Sequence, residues 1–271
     1  MRTIATSDPR SAQGDYLFSN SGREAPTRVA ALSELFDDAT VLHLKKCGVE
    51  RGWRCLEIGA GGGSIANWLS RRVGPSGHVL ATDIDLRLLQ SLKRPNVEVR
   101  CHDICADALP RGTFDLAHAR LVLLHLPKRE EALINMISAL KPGGWLVVEE
   151  YDSVSMPPDP AVSPGEILLK TQIAMLRFLE DSGVDRRYGR RLFGRLCAHG
   201  LTSVGAEARV FMCQGTSAGV SMLWANFRQL REAMIDGGYI TQQQFDEDLA
   251  RLEDQHFFMP SSILWSAWGR R

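Results

Sequence analysis

A chain of 271 residues with 32 basic and 32 acidic side chains carries no formal net charge. A general nucleic-acid binder usually shows a basic excess, so the balance argues against that class. The length suits one large α/β domain with a cap, or two small domains, and no apolar run reaches the roughly 18 residues of a membrane span. The first twenty residues hold no signal-like apolar core, and the six cysteines form no CxxC pair. Reduced, buried thiols in a cytoplasmic protein are expected.

Residues 1–20 read as an arm, with Tyr16, Leu17 and Phe18 apolar enough to fold back. Residues 24–46 read as a helix, because Val29, Leu32, Leu35 and Phe36 recur at spacings of three and four. Short apolar runs follow at 54–58, 78–82, 97–101, 114–119 and 145–149. Amphipathic stretches alternate with them. Residues 64–73 put Ile65, Trp68, Leu69 and Val73 on one face, with Ser64 as the expected N-cap. Residues 86–93 are expected to be helical. Residues 128–140 put Leu133, Met136, Ile137 and Leu140 together, with Gly143 and Gly144 ending that helix. The βαβ rhythm predicts a parallel sheet with helices on both faces and right-handed crossovers.

After Glu150 the rhythm breaks at a proline-rich loop over 153–165. Helices are expected at 166–180, 188–199, 216–235 and 241–255, with strands at 202–213 and 262–268. The division that follows is an N-terminal arm and helix over 1–47, an α/β core over 48–150, and cap helices plus the last two strands over 151–271.

The most informative stretch runs from Leu56 to Ser64, a strand leading through Gly59, Gly61, Gly62 and Gly63 into a helix. Glycines permit positive φ and let a ligand press on bare backbone. A dinucleotide fingerprint needs a glycine at its sixth position, and counting from Gly59 that position is Ser64. A nicotinamide site is therefore disfavoured. Glu57-x-Gly59-x-Gly61-x-Gly63 instead resembles the first motif of class I methyltransferases dependent on S-adenosylmethionine (SAM). The stretches 114–116 and 140–146 resemble that family's fourth strand, following helix and fifth strand, so the similarity covers about residues 50–150.

The resemblance implies a Rossmann-like, doubly wound, seven-stranded sheet, mostly parallel with the last strand antiparallel, and helical cap insertions. It implies SAM as cofactor, bound by Gly59, Ala60, Gly61 and Gly63, with Glu57 bracing the glycine loop and the amino-acid end of SAM. Asp83 closes the second strand, 22 residues past Gly61, where a carboxylate can accept from ribose hydroxyls. Asp85 is the competing acid, and capping of the next helix is the alternative use of both. Ile84 adjoins. The resemblance also implies that Asp103 accepts from the adenine amino group while Ile104 offers its backbone N–H, and that the Ala119 carbonyl meets the methionine ammonium. Arg120 would reach substrate, cover the cofactor, or stand exposed. Arg28 would meet the methionine carboxylate or solvent, and Tyr16 would join a lid.

Cys101, His102, Asp103 and Cys105 have metal-ligand types but no zinc spacing, so no metal is expected. His125 is the weak catalytic candidate, against a packed histidine. Arg186, Arg187, Arg190, Arg191 and Arg195 read as a solvated surface with Leu192, Phe193 and Leu196 inward. Met222, Leu223, Trp224, Phe227 and Leu230 suit core or pocket lining. The expected partner is a small, apolar or aromatic acceptor, methylated at O, N or C, with no nucleic acid and no membrane, in a monomer or homodimer. The alternatives are an RNA or protein methyltransferase, although the N-P-P-[YF] signature is missing, and a non-catalytic binding module.

Overall fold

The computed structural model describes residues 16–155 and 169–271. The 156–168 part of the proline-rich loop and the start of the 166–180 helix lie outside them, as does the arm before Tyr16.

Helix α1 (Ala25–Lys46) opens with proline in its first turn and ends on His43, Lys45 and Lys46. Proline fits there because its missing N–H has no helical partner, and the cations oppose the negative end of the helix dipole. Strand β1 (Arg54–Ile58) leads through the glycine loop to α2 (Ser64–Val73) and then β2 (His78–Asp83). Strands β3 (Val97–Cys101) and β4 (Phe114–Arg120), helix α3 (Arg129–Ala139) and strand β5 (Leu140–Asp152) complete the expected alternation. The cap side carries α4 (Lys170–Asp181), α5 (Tyr188–Ala198), β6 (Thr202–Arg209), β7 (Met212–Gln214), α6 (Ala218–Asp236), α7 (Gln242–Leu252), β8 (Phe258–Pro260) and β9 (Ile263–Arg270).

Seven strands form one sheet in the order β3-β2-β1-β4-β5-β9-β6. Strands β1 to β5 pair in parallel, and β9 runs antiparallel to both β5 and β6. This is the Rossmann-like sheet, mostly parallel with an antiparallel last strand, that the resemblance implied. The order reverses between β1 and β4. In an open α/β sheet the crevice at such a switch point is where ligands bind.

Both faces of the strands are apolar, as a sheet covered on two sides requires. Leu56, Ile58, Leu80 and Ala117 share a cluster that continues into α3, α4, α5 and α6. The alternate residues Cys55, Val79, Ala81 and Leu116 join α2 and the end of α1. Period-two alternation thus sorts neighbours to opposite faces.

Several expectations are corrected. Residues 86–93 make only a 3₁₀ turn, Leu86–Leu89, which Asp85 caps by accepting from Arg87 N, and Pro95 disfavours helical backbone just beyond the stretch. The N-cap of α2 is Gly63 at φ 78°, not Ser64, whose hydroxyl donates to Asp37 instead. Gly143 and Gly144 lie inside the start of β5, where its register with β4 shifts, so α3 ends at Ala139 without them. The single strand expected over 202–213 is two: β7 leaves the main sheet and pairs with β8. Phe193 faces out at 47% exposure, unlike Leu192 and Leu196. No disulfide joins the cysteines, but Cys101 and Cys197 are exposed rather than buried.

Candidate functional site

At the carboxyl end of β1 the chain must turn sharply beneath any ligand. Gly59, Gly61 and Gly63 all take positive φ, at 64°, 53° and 78°. That region excludes most side chains, which explains the alternation of glycines in the sequence. A Cβ on Gly59 would lie 2.4 Å from Val122 Cγ2, and one on Gly62 would lie 2.5 Å from Val29 Cγ1. The loop is therefore pressed between α1 and the residues after β4.

Asp83 locks the turn. Its Oδ2 accepts from Gly61 N at 2.9 Å and its Oδ1 from Asp85 N at 3.0 Å. Burial raises its pKa, and the two N–H groups act the other way. Asp85 is occupied in capping the 3₁₀ turn, so of the two acids only Asp83 lines the cavity at this edge.

One cavity of about 250 Å³ runs from this loop into the cap. Glu57, Gly59, Ala60, Gly61, Asp83, Ile84, Asp103, Ile104, Arg120, Arg28, Tyr16 and His125 all line it. Two expected residues do not. Ala119 is fully buried inside β4, and the wall begins one residue later at Arg120. Gly63 turns towards Leu89 and Leu92, where a Cβ would sit 3.0 Å from each, so its part is packing beneath the loop. Gly62, absent from the expected set, lines the cavity instead.

Asp103 accepts from Cys105 N at 2.8 Å, which orders the turn holding Ile104. Arg28 is buried, donates to the Phe18 carbonyl at 2.9 Å and to Asn20 Oδ1 at 3.3 Å, and so ties the arm to α1. Its Nε is buried without a partner among the described residues, a donor free for an anion. Tyr16 stands edge-on to His125, with ring centroids 5.2 Å apart, and Phe18 flanks the same ring at 6.0 Å. Burial, with Arg28 and Arg129 adding to it, pushes the His125 pKa down to about 4. His125 is thus neutral at pH 7.

Arg120 turns inwards to α1, donating to Asp37 Oδ1 and to Thr40 Oγ1, each at 2.9 Å. Behind it lies a buried polar cluster that sequence reasoning missed. Glu57 faces His118 across the β1–β4 pairing, with Oε2 2.7 Å from Nδ1, and Glu149 Oε2 lies 3.5 Å from Nε2. Burial alone would lower the His118 pKa, but the two carboxylates outweigh it and raise it to about 9. Glu149, which burial would raise, is held down at about 2 by His118, Arg120 and Ser266. The signal available was a histidine within an apolar strand run. The sequence assigned Glu57 to the glycine loop; the hydrogen bond it makes goes to His118.

Past this edge the cavity becomes apolar. Met175, Leu176 and Leu179 of α4, Met222 and Leu223 of α6, and Met259 of β8 line it, with Gln172 and Asn226 among them. Of the stripe on α6, Phe227 and Leu230 are plain core, while Trp224 carries the Arg228 guanidinium 4.4 Å from its ring centroid. Among the described residues no group of three His, Cys, Asp or Glu side chains is placed to hold a metal, and no helix is long and apolar enough to cross a membrane.

The family described as "Methyltransferase domain" matches residues 21–191. Methyltransferase str2 of Strobilurus tenacellus is 31% identical over 140 residues, 51% of this chain and 50% of that protein. The ubiquinone/menaquinone biosynthesis C-methyltransferase UbiE of Azotobacter vinelandii is 36% identical over 116 residues, 40% of this chain and 46% of its own length. The chain spans about half the length of the curated relatives it matches. Phosphoethanolamine N-methyltransferase 2 of Haemonchus contortus, solved with S-adenosyl-L-methionine, shares the fold with a TM-score of 0.56 and 14% identity, over 94% of this chain and 60% of that one. With the family match running through more than half of its length and the sheet order in agreement, the chain belongs to the class I SAM-dependent methyltransferases.

Proposed function

We propose that the protein is an enzyme that binds SAM and methylates a small, mostly apolar acceptor. The observation that carries this reading is the single cavity in which the glycine loop, Asp83 and Asp103 open directly onto Met175, Leu179, Met222, Leu223 and Met259. A nucleoside cradle continuous with an apolar chamber brings two reactants together away from water.

The residues present suit the cofactor. Asp83, its position fixed by Gly61 N and Asp85 N, would accept from the ribose hydroxyls. Asp103 and the Ile104 backbone, both in the cavity wall, would serve the adenine edge. The unpartnered Arg28 Nε would meet the methionine carboxylate, which the glycine loop alone would leave poorly neutralised. Tyr16 and Phe18 line this end and pack edge-on against the His125 ring. When bound, SAM supplies a methyl group on a positively charged sulfur, open to in-line displacement by the acceptor. The chain then has to orient the acceptor and exclude water, and good positioning of two reactants is worth roughly 7–11 kcal/mol of barrier. With a pKa near 4, His125 is a poor proton acceptor, so a lining role suits it better than general-base catalysis. A reducing, cytoplasmic setting suits six cysteines with no disulfide.

A nucleic-acid acceptor is not favoured. Each arginine of the basic run already meets a carboxylate: Arg186 and Arg187 pair with Glu180, Arg190 with Asp152, Arg191 with Asp185 and Arg195 with Glu130. Calorimetric titration tests the central reading. SAM and its demethylated product should both bind the folded protein in a single site, and a folded sample that binds neither removes it.

A further inference from the structure

Helix α4 presents Gln172, Met175, Leu176 and Leu179 to the cavity, a stripe at spacings of three and four. Three of the four are apolar. Gln172 is the exception: it is 3% exposed, and its Oε1 is buried without a hydrogen-bond partner among the described residues. A folded chain rarely leaves a buried carboxamide oxygen unmet, and such an orphan in a binding cavity marks a place where a ligand completes the bond. Two serines on that side are engaged. Ser261 Oγ donates to the Ser262 carbonyl and accepts from Phe211 N, and Ser153 Oγ lies 3.4 Å from Arg186 Nε.

Charge narrows the ligand further. Three arginines line the cavity. Arg120 is paired with Asp37 and Arg186 with Glu180, while Arg28 lies at the glycine-loop end with Phe18 and Asn20. No unengaged cation faces Gln172 among the described lining residues, so an anionic group buried there would have no counter-charge. We propose that Gln172 determines acceptor specificity, its side-chain oxygen accepting a hydrogen bond from a hydroxyl or N–H of an uncharged, otherwise apolar acceptor. This rests on reading the cavity as a methyl-transfer site, and it names the class of molecule the cap selects.

The test uses matched sets of one- to three-ring aromatic skeletons, each as the hydroxyl compound, its methyl ether and its carboxylate. Binding is measured by ligand-observed NMR and calorimetry, with and without S-adenosylhomocysteine, on the wild type and on Gln172→Met, whose side chain has nearly the same shape. Gln172→Leu serves as a second variant, and thermal melting checks that each is folded. Hydroxyl members should bind about tenfold tighter than their ethers, the worth of one hydrogen bond in a buried site. Both variants should lose that preference while keeping wild-type affinity for SAM. Preference for carboxylates, equal binding of ethers, no binding by any member, or a hydroxyl preference that survives in both variants would overturn the proposal. Failure of SAM to bind would instead strike the methyltransferase reading, since the hydroxyl preference is also measured without cofactor.

Discussion

At the scale of single residues the site rests on backbone that tolerates no substitution. Gly59 combines a φ of 64° with a Cβ position 2.4 Å from Val122 Cγ2. Gly59→Ala should therefore cost about 1–3 kcal/mol in stability, and more in SAM affinity because the loop must shift. Denaturant unfolding and calorimetry read the two effects separately. Asp83→Ala removes the acceptor that fixes Gly61 N and faces the cavity. Its SAM affinity should fall by about 1.5–3 kcal/mol, the usual value of a charge-assisted hydrogen bond. An unchanged dissociation constant would tell against the ribose role. Leu121, a non-glycine residue at φ 57°, lies just past β4 in the cavity wall. Strained backbone of this kind gathers at ligand sites.

At the scale of elements, the wall between β4 and α3 is held by one side chain from β5. Glu150 Oε1 accepts from Val122 N at 3.1 Å and Leu123 N at 2.6 Å, while Oε2 accepts from Leu124 N at 3.4 Å. Burial lifts its pKa to about 8 although those N–H groups oppose the shift. Glu150→Leu would leave buried N–H groups unmet and should destabilise the protein by about 1–3 kcal/mol. Glu150→Gln, close in shape to the protonated acid, should recover most of that loss in urea unfolding. The glycine loop, α1 and the 122–125 turn touch through Val29 and Val122, so loosening this turn should also weaken SAM binding.

At the scale of the whole molecule, buried titratable groups set stability against pH, among them two histidines with opposite shifts. His118 titrates near 9 in the folded state, above its ordinary 6.5. The folded state therefore holds a proton that the unfolded chain releases. That stabilisation is complete below pH 6.5 and is lost as pH rises through 9. His125 titrates near 4, below 6.5. The unfolded chain gains a proton that the folded state refuses, so stability falls as pH drops from 6.5 towards 4. Each limb should amount to about 3 kcal/mol; Glu150, lifted from 4.5 to about 8, adds a limb that is lost as pH rises from 4.5 to 8, so stability should be level between about pH 4.5 and 6.5 and fall on either side. Urea unfolding across pH 4 to 9.5 checks the shape of the curve. His118→Leu leaves Glu57 and Glu149 buried without their cation, and should cost about 3–5 kcal/mol at pH 7.

The local signals in the chain were sufficient for the α/β rhythm, the glycine turn, the place of Asp83 at the end of β2 and the parallel core. Each of these depends on a short stretch: apolar alternation makes a strand, and only glycine turns at positive φ three times in five residues. The same signals were too weak for the 3₁₀ turn after β2, where the Asp85 cap decides, and for β7, which leaves its strand run to pair with β8 some 45 residues later. Only the tertiary structure brought Glu57, His118 and Glu149 together, because strands β1, β4 and β5 are distant in the chain and adjacent in the sheet. It alone also revealed Gln172 as a buried polar side chain with an unmet oxygen in the cavity wall. Pairing between remote strands and the burial of one side chain are properties of the folded whole. No window of neighbouring residues carries them.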